Sequence, residues 1–228
     1  MQRIAPGLCF IVLFSLIACS GEAPSPEPVA EAQPSADAPP ADAQAAETPA
    51  EVWFRQLGEL CGNAYAGRLV STDAVDAEFA EQAMVMHVRR CADDRIEVPF
   101  HVGENRSRTW VLSRTDDGGI QLQHDHRHED GSEDAVTLYG GRTAEAGSAT
   151  AQDFPADDYS KQLFETHDLA ASVANTWTME IVPGERFSYI LRRPERHFQV
   201  DFDLTVTVDA PPTPWGHEET APTEASAG

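Results

Sequence analysis

Three of the chain's eight histidines stand at every second position in His-Asp-His-Arg-His-Glu-Asp-Gly-Ser-Glu-Asp, residues 124–134, and acids follow at once. Alternate side chains of a β-strand project from one face, so His124 and His126 would offer two imidazoles side by side. His128 is next in line, toward Glu133 and Asp134. Neutral imidazole ligates zinc, copper or iron. His124, His126 and His128 are therefore a candidate metal set, with zinc as the candidate ion and a carboxylate as a further ligand. The same spacing fits histidines hydrogen-bonded to Tyr, Asp or Arg inside a fold, or solvated at a hairpin tip. Residues 129–134 lack the Asp-x-Asp-x-Asp-Gly order of a calcium loop and read as a solvated turn.

Other chemistry is thinly represented. His167 and Asp168 beside Ser172 supply triad residue types, but no Gly-x-Ser-x-Gly elbow is present. The sequence contains no His-Glu-x-x-His, no Gly-x-x-x-x-Gly-Lys and no Gly-x-Gly-x-x-Gly. No catalytic residue is assigned. His87, His101 and His197 alternate with apolar neighbours and belong on outer strand faces. Arg-Arg-Pro-Glu-Arg, 192–196, reads as a solvated turn whose small cationic patch could dock an anion.

The elements that must position the histidines follow from hydrophobic period. Thr48-Pro49-Ala50-Glu51 is a capping box with proline at the first helical position. The helix it starts carries Trp53, Leu57, Leu60 and Cys61 on one stripe, with Gly62 suited to its end. Beyond it the period falls to two: Met84 to Val88, Ile96 to Val102, Trp110 and Leu112, Ile120 and Leu122, Val136 and Leu138, Trp177 to Ile181, Phe187 to Leu191, and Phe198 to Val208. Turn residues separate these runs. About eight to ten strands in sequential hairpins, with a second short helix near 156–168, predict an antiparallel up-and-down meander closing into a barrel, because closure removes both edges. A two-sheet β-sandwich is the alternative.

Register decides where the histidines point, since a slip of one residue turns every side chain to the other face. A five-residue loop at 115–119 and three-residue loops at 103–105, 130–132 and 183–185 keep all apolar residues on one face. Trp110 then faces His124, Leu112 faces Leu122, His124 faces Leu138 and His126 faces Val136. In that register Trp110, Leu112, Leu122, His124, His126 and Leu138 line the lumen. A small apolar molecule is the expected ligand, with the histidines as polar anchors. A metal-binding protein or metal-dependent enzyme using His124 and His126 is one competing reading. An envelope interaction protein with a packed core is the other.

The ends of the chain speak of address. Arg3 precedes an apolar run from Leu8 to Ala18, too short to span a bilayer, and residues 1–18 read as a signal peptide. Leu16-Ile17-Ala18-Cys19 resembles the lipobox of bacterial lipoproteins. That resemblance implies cleavage before Cys19, acylation of Cys19 and a membrane partner reached through its acyl chains. Ser20, where the family's inner-membrane retention signal carries Asp, implies the outer membrane, facing periplasm or cell surface. Residues 19–50, rich in Pro, Ala and Glu, read as a disordered tether; residues 51–208 as one domain; residues 209–228 as a disordered acidic tail. Cys61 and Cys91, left in an oxidising compartment, are expected to pair. A formal net charge of −22 disfavours nucleic acid. Leu60-Cys61-Gly62-Asn63-Ala64 before the first strand is similar to the Leu-x-Gly-x-Trp opening of lipocalin-type (calycin) barrels, with Ala64 in place of the tryptophan, and implies the same fold.

Overall fold

A computed structural model describes residues 46–218. The signal segment, Cys19 and most of the tether lie outside the described residues. The capping box is formed: the Glu51 amide donates to the Thr48 hydroxyl at 3.2 Å, and the Glu51 carboxylate accepts from the Thr48 amide at 2.7 Å. It starts α1 (Pro49–Gly58), whose Trp53, Phe54 and Leu57 are buried. Gly62, past the helix, takes the positive φ of 83° that only glycine adopts freely.

Eleven antiparallel strands follow and form a nearly closed barrel. They are β1 (Ala64–Leu69), β2 (Met84–His87), β3 (Arg90–Cys91), β4 (Arg95–Val102), β5 (Asn105–Arg114), β6 (Ile120–His126), β7 (Tyr139–Arg142), β8 (Ala151–Pro155), β9 (Thr176–Val182), β10 (Arg186–Arg193) and β11 (Arg196–Asp203). Apart from the two-residue β3, which pairs only with β4, neighbours in the sheet are neighbours in the chain, and β1 pairs with β11. The remaining seam, β7 to β8, is joined by one bridge, Gly141 to Ala156. There α3 (Asp158–Thr166) covers the edge. The Ser160 hydroxyl accepts from the Gly140 amide at 2.7 Å and donates to the Gly140 carbonyl at 2.9 Å. A side chain thus does for β7 what a partner strand would.

The interior is filled rather than hollow over most of its length. Trp110 stacks between Phe100 at 5.0 Å and Tyr189 at 4.5 Å, with Phe187 and Phe202 beside them. Helix α1 sits at the end where β5 runs into β6: the Arg114 guanidinium lies 4.9 Å from the Phe54 ring, and Trp53 meets Phe154 edge-on. Cys61, after α1, is bonded to Cys91 in β3 with a Cα separation of 6.3 Å. Closing a loop of 30 residues removes denatured-state entropy worth about 3–4 kcal/mol in the loop-entropy account. The double substitution Cys61→Ser and Cys91→Ser should lower the unfolding free energy from urea titration by about that amount, with a steeper slope because the unfolded chain is freed.

Four expectations are corrected. First, β1 and β8 arise from segments without clear alternation. Second, the strand placed on Val136 and Leu138 begins at Tyr139 instead. Residues 127–138 coil because the Thr137 hydroxyl accepts from the His126 amide, the Asp134 carboxylate accepts from the Val136 amide, and Leu138 has φ 57°. Third, β11 stops at Asp203, whose carboxylate accepts from the Thr205 amide and hydroxyl, and Val206 is 64% exposed. Fourth, residues 209–218 do not leave the domain. The Val208 amide donates to Ala64, the Trp215 amide to Arg106, and His217 reaches the Asp125 carboxylate at 3.3 Å. This strap crosses the outer face of β4, β5 and β6, where His101, Thr109, Val111 and Asp125 are buried.

Candidate functional site

Alternation on three adjacent strands builds the site at the barrel end away from α1. β4 turns Val98 and Phe100 inward, β5 turns Arg108, Trp110 and Leu112 inward, and β6 turns Leu122, His124 and His126 inward. The antiparallel register sets Phe100, Arg108 and His126 in one row at the mouth, and Val98, Trp110 and His124 in the row beneath. Trp110 stands opposite His124 and Leu112 opposite Leu122, as expected. His124 stands opposite Tyr139, not Leu138.

His124 is wholly engaged by the protein. Its Nδ1–H donates to the Tyr139 carbonyl at 3.1 Å, and its Nε2 accepts from the Tyr189 hydroxyl at 2.8 Å. That network assigns the neutral Nδ1–H tautomer. Burial first, and the neighbouring His126 second, push its pKa down to about 3. Burial also holds the Tyr189 phenol well above its ordinary value. His126 Nε2 and the Tyr139 hydroxyl are hydrogen-bonded at 3.2 Å. Burial, then the Arg108 guanidinium, bring its pKa to about 4, and burial lifts the Tyr139 phenol to about 12.

Arg108 is the unusual member of the row. Its guanidinium lies 5.9 Å from the Phe79 ring and donates from Nη1 to Asn105 Oδ1 at 3.2 Å. Among the described residues no carboxylate lies within ion-pair distance of it. A guanidinium keeps its charge even where burial presses against it, so the mouth holds a fixed cation. The other arginine there, Arg196, is neutralised: it clamps Asp76 at 2.6 and 2.5 Å and reaches Asp73 at 2.9 Å. This clamp fastens the 3-10 turn Ala74–Asp76 and the short α2 (Ala77–Ala80) over the mouth, where Phe79 meets Phe198 edge-on at 5.4 Å.

Beneath that cover lies a cavity of about 170 Å³, walled by Phe79, Phe100, Trp110, Tyr139, Tyr189 and Phe198, with Arg108, His124 and His126 as polar groups. Of the expected lining residues, Trp110, His124 and His126 reach it. Leu112 and Leu122 are wholly buried in the packed core below, and Leu138 is outside the lining. His128 is exposed at the hairpin tip. Among the described residues no group of three or more His, Cys, Asp or Glu is gathered to hold a metal. His101 and His87 do lie on outer faces, but His101 is 4% exposed, its Nε2 has no partner among the described residues, and burial lowers its pKa to about 4.

The sequence reading passed over Arg108, although it stands two residues before Trp110 and so must share its face. Tyr139 was hidden by the mistaken start of β7, and Phe79 by the irregular segment that carries it. Comparisons of the chain with family models, curated proteins and solved structures found no match.

Proposed function

We propose that this chain is a lipid-anchored envelope lipoprotein whose barrel mouth binds a small, largely apolar molecule, with His126 as a polar anchor and His124 held by the protein's own bonds beneath it. The observation that carries this is the aromatic-walled cavity of about 170 Å³ at the end of an otherwise filled barrel. An engineered cavity of roughly 150 Å³ admits a benzene ring, so the ligand is the size of one ring. An acyl chain is too large. The lipobox segment supports the anchor and the outer-membrane address. The up-and-down barrel supports the likeness to lipocalin-type folds.

Ligand binding to the folded state raises its stability by RT ln(1 + [L]/Kd), about 1.4 kcal/mol at ten times Kd. Toluene or benzyl alcohol should therefore raise the melting temperature by a few degrees and quench tryptophan fluorescence, whereas palmitate should do neither. If no single-ring compound moves either signal, the filled core speaks for the competing reading, an envelope interaction protein without a ligand pocket. The metal reading is tested separately: elemental analysis of untagged protein carrying one equivalent of zinc would restore it.

A further inference from the structure

We infer that the mouth cavity takes an anion, a one-ring carboxylate whose charge is met by Arg108. The inference rests on the binding-module reading above and gives it a ligand class. It starts from charge. Three ionised residues line the cavity, Arg108, Arg196 and Asp76. Asp76 is spent on Arg196, which also holds Asp73 from outside the lining, so Arg108 is the lining cation that no carboxylate among the described residues pairs with.

Arg108 is half-buried, and a partly desolvated cation gains from an anion that meets it. Among the described residues none supplies that anion: there the fork of Arg108 meets the Asn105 side-chain oxygen and the face of Phe79. Glu78 and Glu104 share an outer groove with Arg108 and Phe79, but neither lies within ion-pair distance of the guanidinium. Guanidinium matches carboxylate through two parallel hydrogen bonds, a geometry lysine cannot copy. Next to it, His126 can also donate from its ring. The wall behind them is aromatic, with Trp110 stacked on Phe100 and Tyr189. A planar ring fits such a wall, and a carboxylate on that ring reaches the row of Arg108 and His126. A neutral ring of the same size would use the wall and leave the cation unmet.

The full chain is titrated calorimetrically with sodium benzoate, benzyl alcohol and benzylamine, which share a ring and differ in charge. Benzoate should bind at least tenfold more tightly than benzyl alcohol, and benzylamine should not bind. Arg108→Met should lose the preference for benzoate and still bind benzyl alcohol, and Arg108→Lys should recover only part of it. Benzyl alcohol binding as tightly as benzoate to the unmodified chain would overturn the anion assignment while leaving the pocket reading intact, and needs no variant that must fold. So would undiminished benzoate binding by Arg108→Met. Failure of all three probes to bind would overturn both.

Discussion

Lowering the pH from about 7 to about 5 should bring this protein to the edge of unfolding, well before its carboxylates protonate. Three histidines are held neutral in the fold, His124 with a pKa pushed to about 3 and His101 and His126 to about 4, in each case chiefly by burial. In the unfolded chain each returns to about 6.5. Their folded values lie below their unfolded ones, so the unfolded state binds more protons between these limits. The stability they allow is complete above about pH 6.5 and is lost as pH falls toward their folded values. At about pH 5 each contributes a loss of roughly 2 kcal/mol by linkage, against a total stability of about 5–15 kcal/mol for a typical domain. His87 is shifted in the same direction by burial and by Arg89, and adds to the loss. Relief of negative self-repulsion acts the other way but needs carboxylates to protonate, and with pKa values of about 3.9 and 4.3 in the unfolded chain most are still ionised at about pH 5. The histidine contribution therefore dominates the upper part of the window. Melting followed by circular dichroism should show a fall of about 12–24 °C over those two pH units. His101→Gln should reduce that fall by about a third. A melting temperature flat from pH 7 to pH 5 would mean that these imidazoles are not held neutral.

The same burial explains how much of the fold was legible. Alternation finds a strand when one face is apolar, and so β2, β4, β5, β6, β9, β10 and β11 follow from it, as does α1 from its capping box. The strand β1 escapes because its small and polar residues, Ala64 to Leu69, include Gly67, over which the Phe202 ring lies. Aromatic covering of a glycine is a pairing across strands, invisible along one. The strand β8 escapes because Gln152 and Asp153 interrupt it. Composition misread residues 209–218 for a related reason. Proline and acid suggest a free tail, yet the backbone bond from Trp215 to Arg106 and the reach of His217 to Asp125 hold it to the outer face of the sheet.

The site was half legible. His124 and Trp110 came together because the loop at 115–119 has the expected length and β5 and β6 keep phase across it. The loop at 103–105 is one residue shorter than expected, since Val102 pairs with Asn105, and a bulge between Phe100 and Val102 restores the phase. Two departures cancel there. At 127–138 nothing cancels, and the error of one residue replaced Tyr139 by Leu138 opposite His124. The difference is chemical: local bonds from Thr137 and Asp134 to backbone amides compete with the ladder and win.

That competition leaves β7 only four residues long, and at its seam with β8 a single methyl group should do heavy damage. Gly141→Ala is expected to destabilise the barrel by about 2–4 kcal/mol, at or above the usual range for overpacking, because nothing that surrounds the position can yield. A Cβ at Gly141 would overlap the Pro155 carbonyl oxygen and stand 2.7 Å from its carbon and 2.9 Å from the Phe154 carbonyl carbon. These are backbone atoms of the neighbouring strand, not the tip of a flexible side chain. Relief requires β7 and β8 to part, which breaks the one bridge between them and exposes the edge that Ser160 covers from α3. Gly118→Ala makes the control: no atom lies within 4 Å of its Cβ, and only its positive φ of 84° resists the change. It should cost about 1 kcal/mol, the ordinary penalty of a left-handed residue. Denaturant titration of both variants decides the matter, and amide exchange locates the effect. Gly141→Ala should speed exchange at Gly140, Asp157 and Ala156 ahead of strands β4 and β5. Equal destabilisation by the two substitutions would show that the β7–β8 seam is no tighter than a surface turn.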